Sequence, residues 1–320
     1  MSKVAVIGAT TWGNTLGRLL AGKGVPVSVW ARTEARAREL SQEHQGCLAF
    51  TDDLDEALQA AEFVICAVPA QRIRQNIRLG NPSLNDSMIL ISVAKGLEAE
   101  TGKRMSEVIA DEAVSVSQDR ICALSGPNLS GEINQGLPAT SVVAGRDMGV
   151  NKRVQELLDS PDFSVFVSDD IVGVELCGAL KNVIALGAGI MDGLELGNNA
   201  KAAFITLGWS EIVSLGTALG AKPATFYGLA GLGDLIATGN SPLSRNHYVG
   251  YELGKGLLLS DIVASMSHVA EGVDTAIAAY RLADGLKLET PIINLVYSVL
   301  FEALPPTEIS RRFKNGLKPE

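Results

Sequence analysis

A short β-rich run, Lys3–Ile7, ends at Gly8 and gives way to a helical pattern over residues 12–21, with Leu16, Leu19 and Leu20 on one face. That strand–glycine–helix opening sets the rhythm of the first half of the chain. Val27–Trp30 reads as a strand and 34–41 as a helix. Residues 48–51 read as a short strand, and 53–60 as a helix capped by Asp52 or Asp53. The continuous apolar run 63–67 reads as a buried strand, stopped by Pro69. The alternation continues through strand 88–92, helix 103–110, strands 121–124 and 140–144, helix 150–158 and strand 163–167. Strands alternating with helices of about ten residues imply βαβ units and a parallel-rich sheet.

The rhythm breaks at Ser168. Beyond it strand-like alternation almost vanishes, and Leu, Ala and Gly recur at helical spacing through 171–194, 200–219, 260–266, 275–283 and 292–300. The expected architecture is an α/β domain over residues 1–168 followed by an all-α domain over 169–320. A length of 320 residues suits two domains, and an apolar fraction of 47% supplies their cores. The net charge of −9 argues against nucleic acid as a partner, since such binders usually carry a basic excess. The apolar stretch 176–194 is interrupted by Lys181, Asn182 and Asp192, so it reads as a buried helix and no transmembrane segment is expected. No secretory leader pattern precedes the first strand. Cys47, Cys66, Cys122 and Cys177 lack CxxC spacing and read as reduced core thiols of a cytoplasmic protein. His44, His247 and His268 are too dispersed for a metal site, and no metal is expected.

Gly8-Ala9-Thr10-Thr11-Trp12-Gly13 sits between the first strand and the first helix. It matches the first and third glycines of the dinucleotide fingerprint: Gly8 for the tight turn, Gly13 for close helix–strand approach. Thr10 stands where a middle glycine normally lets the backbone approach a pyrophosphate, which weakens the match. An ordinary βα turn is the alternative. The helix N-terminus still offers N–H groups and a positive dipole end to a phosphate. On this basis residues 1–168 read as a Rossmann-like dinucleotide-binding domain. The second strand ends Val29-Trp30-Ala31-Arg32, without the carboxylate that would hold a free ribose 2′-hydroxyl. A guanidinium suits a 2′-phosphate, so NADP(H) is favoured and NAD(H) stays open; a plain surface arginine is the competing view.

Further polar residues stand out against apolar surroundings. Lys95, in Ser92-Val93-Ala94-Lys95-Gly96-Leu97-Glu98, follows a strand and would point into the ligand crevice unless it is a solvated loop lysine. Ser125-Gly126-Pro127-Asn128 follows another strand as a tight loop. Lys181 lies inside an apolar helical stretch, and Cys177, Gly178, Ile184 and Ala185 around it cannot pair with its charge. A buried lysine is normally paired or used, and a desolvated one suits general acid/base work; snorkelling to solvent is the alternative. Asp234 ends a glycine-rich segment, Gly228–Gly233, as a partner for a lysine or a substrate hydroxyl, or as a helix cap. If Ser244-Arg245-Asn246 open a helix, they make a phosphate seat. Glu271 stands beside Gly272.

Taken in order, these islands cover nearly the whole chain and together resemble the bacterial-type NAD(P)-dependent glycerol-3-phosphate dehydrogenases. The carrying residues are Gly8…Trp12-Gly13, Lys95-Gly96-Leu97-Glu98, Ser125-Gly126-Pro127, Leu180-Lys181-Asn182-Val183-Ile184-Ala185, Gly231-Leu232-Gly233-Asp234-Leu235, Ser244-Arg245-Asn246 and Glu271-Gly272. The resemblance implies reversible hydride transfer between dihydroxyacetone phosphate and sn-glycerol 3-phosphate, serving glycerophospholipid synthesis. It implies that Lys181 is the proton donor and acceptor, positioned with the substrate by Lys95 and Asp234. Gly126, Asn128, Ser244, Arg245 and Asn246 then belong to the substrate, with the last three on its phosphate. Gly8, Thr11, Trp12, Gly13, Arg32, Lys95, Ser130, Arg245, Val269 and Glu271 belong to the cofactor. The acid and the anion seat on residues 169–320 would face the nucleotide domain across a cleft.

Three departures stand out. The family usually has Gly at Thr10, a second basic residue at Thr33, and Thr-Phe-Ala where this chain has Asn128-Leu129-Ser130. Two other readings compete. One is a related two-domain reductase of a small hydroxy or keto acid, which needs no phosphate seat. The other is a nucleotide sensor without chemistry. The helical domain leaves room for a homodimer interface that no single patch in the sequence marks.

Overall fold

The computed structural model describes residues 2–44, 46, 48–239, 244–266 and 269–314; Cys47 and His268 lie outside them. Contacts divide the chain into two compact units, Met1–Lys95 with Arg104–Glu175, and Gly96–Lys103 with Leu176–Glu320.

The first unit carries strands β1 (Lys3–Ile7), β2 (Val27–Trp30), β3 (Ala49–Thr51), β4 (Ala61–Cys66), β5 (Ile89–Ser92), β6 (Ile121–Ser125), β7 (Ala139–Gly145) and β8 (Phe163–Ser168). They form one sheet in the order β3-β2-β1-β4-β5-β6-β7-β8. The order reverses between β1 and β4, the switch point where α/β sheets open a crevice at the strand carboxyl ends. Period-2 alternation divides β1 between two apolar layers. Val4 and Val6 join Leu16, Leu20 and Phe163 on one face; Ala5 and Ile7 join Ile73, Ile77 and Val108 on the other. With both faces covered, β4 and β5 carry the apolar runs Phe63–Cys66 and Ile89–Ile91, which are buried on both sides.

The connecting helices are α1 (Thr11–Gly22), α2 (Glu34–Glu43), α3 (Leu54–Leu58), α4 (Ala70–Gly80), α5 (Met105–Glu112), α6 (Ser130–Ile133) and α7 (Met148–Leu158). Side-chain caps start several of them: Thr10 on α1, Thr33 on α2, Asp53 on α3 and Asp147 on α7. Helix α4, the short α6 and the direction of β7 lie beyond the sequence reading. Helix α4 follows Pro69 and buries Ala70, Ile73 and Ile77 while showing arginines to the outside. Strand β7 runs antiparallel to β6, with Cys122 opposite Gly145. The helix between them, α6, is a single turn and cannot carry the chain back along the sheet, so β7 returns in the opposite direction.

The second unit is helical: α8 (Ile171–Gly193, whose first turn counts with the first unit), α9 (Gly197–Ala218), α10 (Asp234–Gly239), α11 (Arg245–Gly254), α12 (Leu259–Ser265), α13 (Glu271–Gly285), α14 (Pro291–Phe301) and α15 (Thr307–Lys314). A 3₁₀ turn, Pro223–Tyr227, and a π turn, Leu229–Gly233, lead into α10. Helix α8 is long and apolar enough to cross a bilayer, but 89% of its most apolar window is buried inside the protein, which makes it a core helix. It meets α11 backbone to backbone. Cβ atoms on Gly189 and Gly193 would strike the α11 main chain, one on Gly250 would strike Leu186 O, and one on Gly254 would lie 2.6 Å from Ile190 O. Elsewhere Glu211 of α9 accepts the N–H groups of Ile292 (2.7 Å) and Ile293 (2.9 Å), capping α14 where Thr290 makes no side-chain cap. Burial pushes the Glu211 carboxyl up to about 7, against the lowering effect of those two bonds.

Candidate functional site

The turn after β1 is built by what glycine and threonine can do there. Gly8 has φ +113°, and a Cβ would come within 2.7 Å of Val68 Cγ1. At Gly13 a Cβ would lie 3.0 Å from Ala67 Cβ, so α1 packs close against the sheet. Thr10 is extended, at φ −82°, a conformation that asks for no glycine. Its hydroxyl accepts the Gly13 N–H (3.1 Å) and donates to Ala67 O (2.9 Å). The cap uses the N–H of Gly13 and leaves those of Thr11 and Trp12 in the first turn for an anion. Trp12 is half-buried, its ring 6.3 Å from that of Phe163. Arg32 is exposed just past β2, and Thr33 beside it caps α2 through the Arg36 N–H.

At the carboxyl ends of β5 and β6, Lys95 Nζ donates to Gly126 O at 2.7 Å. A Cβ on Gly126 would lie 2.8 Å from Thr140 O, so only glycine lets the loop pass that close. Asn128 is turned onto β7: its Nδ2 donates to Thr140 O (2.9 Å) and its Oδ1 accepts from Ser141 Oγ (3.0 Å). Ser130 begins α6. The buried hydroxyls of Ser92 and Ser125, which end the two strands, have no hydrogen-bond partner among the described residues. Sequence reasoning passed over both; the signal was a serine closing each otherwise apolar strand. The constrained turn, the unengaged N–H groups and these orphan hydroxyls fit a dinucleotide lying along the strand ends.

In the second unit Lys181, in the middle of α8, is 4% exposed, and Asp234 at the start of α10 is 2% exposed. Lys181 Nζ lies 3.1 Å from Asp234 Oδ1 and donates to Thr238 Oγ1 at 2.6 Å. Thr238 in turn donates to Asp234 at 3.2 Å. Burial removes snorkelling as an account of Lys181, and Asp234 is its counter-charge rather than a simple helix cap. Thr238 is a member that sequence reasoning missed, although its place four residues after Asp234 puts both on one helix face.

Ser244 caps α11 by accepting the His247 N–H (3.3 Å). Arg245 is exposed and donates from Nη1 to Val269 O at 3.0 Å. Asn246 Oδ1 accepts the Gly272 N–H at 2.9 Å, leaving the Nδ2 group as its donor. The N-terminus of α11 and the segment 269–272, which carries Val269 and Glu271, are thus joined. A further cluster stiffens this end: Asp192 of α8 meets His247 Nε2 at 2.8 Å and Lys201 Nζ at 2.9 Å. Burial alone would raise the Asp192 carboxyl, but the His247 and Lys201 bonds outweigh it and hold it below its ordinary value. The helical unit therefore offers a buried ammonium with its counter-charge and a helix N-terminus bearing a cap hydroxyl, a guanidinium and an amide. Chemically, groups of these kinds can donate a proton and hold an anion.

Comparison with known proteins agrees with that chemistry. Residues 3–151 match the family model for the NAD-dependent glycerol-3-phosphate dehydrogenase N-terminus, and residues 170–311 match that for its C-terminus. A protein of Dehalococcoides mccartyi named glycerol-3-phosphate dehydrogenase [NAD(P)+] is 52% identical over 98% of this chain and 90% of its own length. One of the same name from Thermobifida fusca is 41% identical over 100% and 99%. Among solved structures, glycerol-3-phosphate dehydrogenase from Coxiella burnetii superposes with a TM-score of 0.92 at 31% identity, covering 98% of both chains.

Proposed function

The chain belongs to the NAD-dependent glycerol-3-phosphate dehydrogenase family, and from that premise we propose that it reversibly reduces dihydroxyacetone phosphate to sn-glycerol 3-phosphate. It is an NAD(P)-dependent oxidoreductase. The observation that carries the proposal is the buried Lys181–Asp234–Thr238 cluster. When bound, the nicotinamide cofactor supplies the hydride.

Lys181 Nζ gives a proton to the ketone oxygen as negative charge develops there, and in the reverse direction takes the alcohol proton. Asp234 supplies the counter-charge that lets an ammonium persist in a buried place, and the Thr238 hydroxyl fixes its direction. Ser244, Arg245 and Asn246 Nδ2 hold the substrate phosphate. Lys95, Gly126 and Asn128 line the substrate from the strand ends. Thr11 and Trp12 take the cofactor pyrophosphate through their N–H groups at the turn that Gly8 and Gly13 shape, while Arg32 takes a 2′-phosphate, so that NADP(H) is preferred and NAD(H) is the second cofactor. Lys95, Ser130, Arg245, Val269 and Glu271 complete the cofactor contacts. Nucleotide work then falls to residues 1–168, and substrate and proton work to 169–320.

The product serves glycerophospholipid synthesis. A cytoplasmic setting accords with the buried thiols of Cys66, Cys122 and Cys177. A homodimer joined through the helical domain belongs to the same proposal, and gel filtration tests it. The decisive assay follows the absorbance of NADPH, then NADH, on addition of dihydroxyacetone phosphate. Rapid loss with that ketone and none with an unphosphorylated keto acid is expected. Folded protein that binds cofactor yet oxidises neither overturns the proposal.

A further inference from the structure

Arg32 Nη2 lies 3.5 Å from Oε1 of Gln75, which places the exposed end of β2 beside the outer face of α4. Arg72 stands three residues before Gln75 in the first turn of that helix, a spacing that puts the two side chains on one face. Arg32 and Arg72 are both exposed. The stretch from Gly24 to Ala94 holds six arginines and no lysine. Four are answered by carboxylates: Arg36 by Glu39, Arg38 by Glu34, Arg74 by Asp111 and Glu112, and Arg78 by Glu112. Neither Arg32 nor Arg72 has an ion pair among the described residues. The position after Arg32, where a second cation would extend the same loop, is Thr33, and its side chain caps α2.

We propose that Arg72 is the second guanidinium of a 2′-phosphate site, so that Arg32 and Arg72 grip a ribose 2′-phosphomonoester from two separate elements. Two uncompensated guanidiniums match a dianion, and each can offer paired N–H donors to its oxygens. The proposal rests on the NADP(H) preference proposed above and supplies from α4 the charge that position 33 lacks.

Calorimetry on the full chain tests it, with adenosine 2′,5′-bisphosphate and adenosine 5′-monophosphate as probes. Wild type should bind the bisphosphate about tenfold or more tightly than the monophosphate. Arg72→Ala should weaken the bisphosphate by about tenfold and leave the monophosphate within about twofold, with Arg72→Lys recovering only part. Equal weakening of both probes, or of neither, overturns the assignment of Arg72. If Arg32→Ala loses the preference while Arg72→Ala keeps it, Arg72 alone is wrong. If wild type shows no preference, the NADP(H) reading itself falls, and Arg72 with it.

Discussion

The ammonium nitrogen of Lys181 lies 3.1 Å from Asp234 Oδ1, and both side chains are sealed from solvent. An unpaired charge at that depth would be strongly destabilising, so the pair explains how a cation is kept ready inside an apolar helix. Replacing the lysine removes the proton donor and leaves the anion seat alone. Lys181→Ala should lower kcat by about 10²–10⁴ with little change in the substrate KM. A variant that folds and turns over at the wild-type rate removes Lys181 from the proton step.

Arg245 reaches solvent with one guanidinium nitrogen on Val269 O and the rest of its fork unspoken for by that bond. Loss of a charge-assisted phosphate contact is worth about 1.5–3 kcal/mol, so Arg245→Ala should raise the KM for dihydroxyacetone phosphate by about 10–100-fold. Steady-state kinetics at saturating cofactor give the number. An unchanged KM would place the substrate phosphate elsewhere.

Glu211 gives the helical unit a pH signature. Its folded-state carboxyl is pushed up to about 7 from an ordinary 4.5, so folding favours the protonated form. The stability this contributes is fully present below about pH 4.5 and is lost as pH rises through about 7. Glu211→Gln cannot titrate there. The stability difference between wild type and variant should therefore shift by roughly 1–3 kcal/mol between pH 4.5 and 8, in the direction of a weaker wild type at high pH. Urea melts at both pH values measure it, and a difference that does not move with pH rejects the account.

Gly250 faces Leu186 O so closely that no side chain fits. Gly250→Ala must push α11 from α8, with a cost of about 1–3 kcal/mol from overpacking. Since α11 begins at the Ser244–Asn246 seat and α8 carries Lys181, the same change should raise the substrate KM. Thermal melting and kinetics check the two effects, and a variant normal in both would show that the crossing yields without consequence.

The parallel sheet and the helical second half were legible because burial on two faces, on one face and on a helix stripe leave three different periods in the sequence. Strand β7 was located but its direction was not, because direction depends on whether the short α6 can span the sheet. Helix α4 escaped because its apolar positions are separated by arginines that a window average reads as loop. Thr10 looked like a defect in a glycine pattern. The structure shows an extended residue whose hydroxyl does capping work no glycine could do. Lys181 and Asp234 were visible as charges in apolar settings. Thr238 was not, because a threonine in a helix carries no such contrast until its partners are in place.

The glycine crossing of α8 and α11 also decides what this protein can become. Two helices held by side chains can creep past one another, as packing is remodelled one methyl group at a time. These two cannot: a screw motion of one residue, about 1.5 Å along the axis with about 100° of rotation, would drive Val249 or Tyr251 into the place that only Gly250 can occupy. The separation between the α11 N-terminus and Lys181 is therefore set by backbone contact. Ser244, Asn246 and His247 are tied into the fold, whereas the exposed Arg245 can be exchanged without moving that spacing.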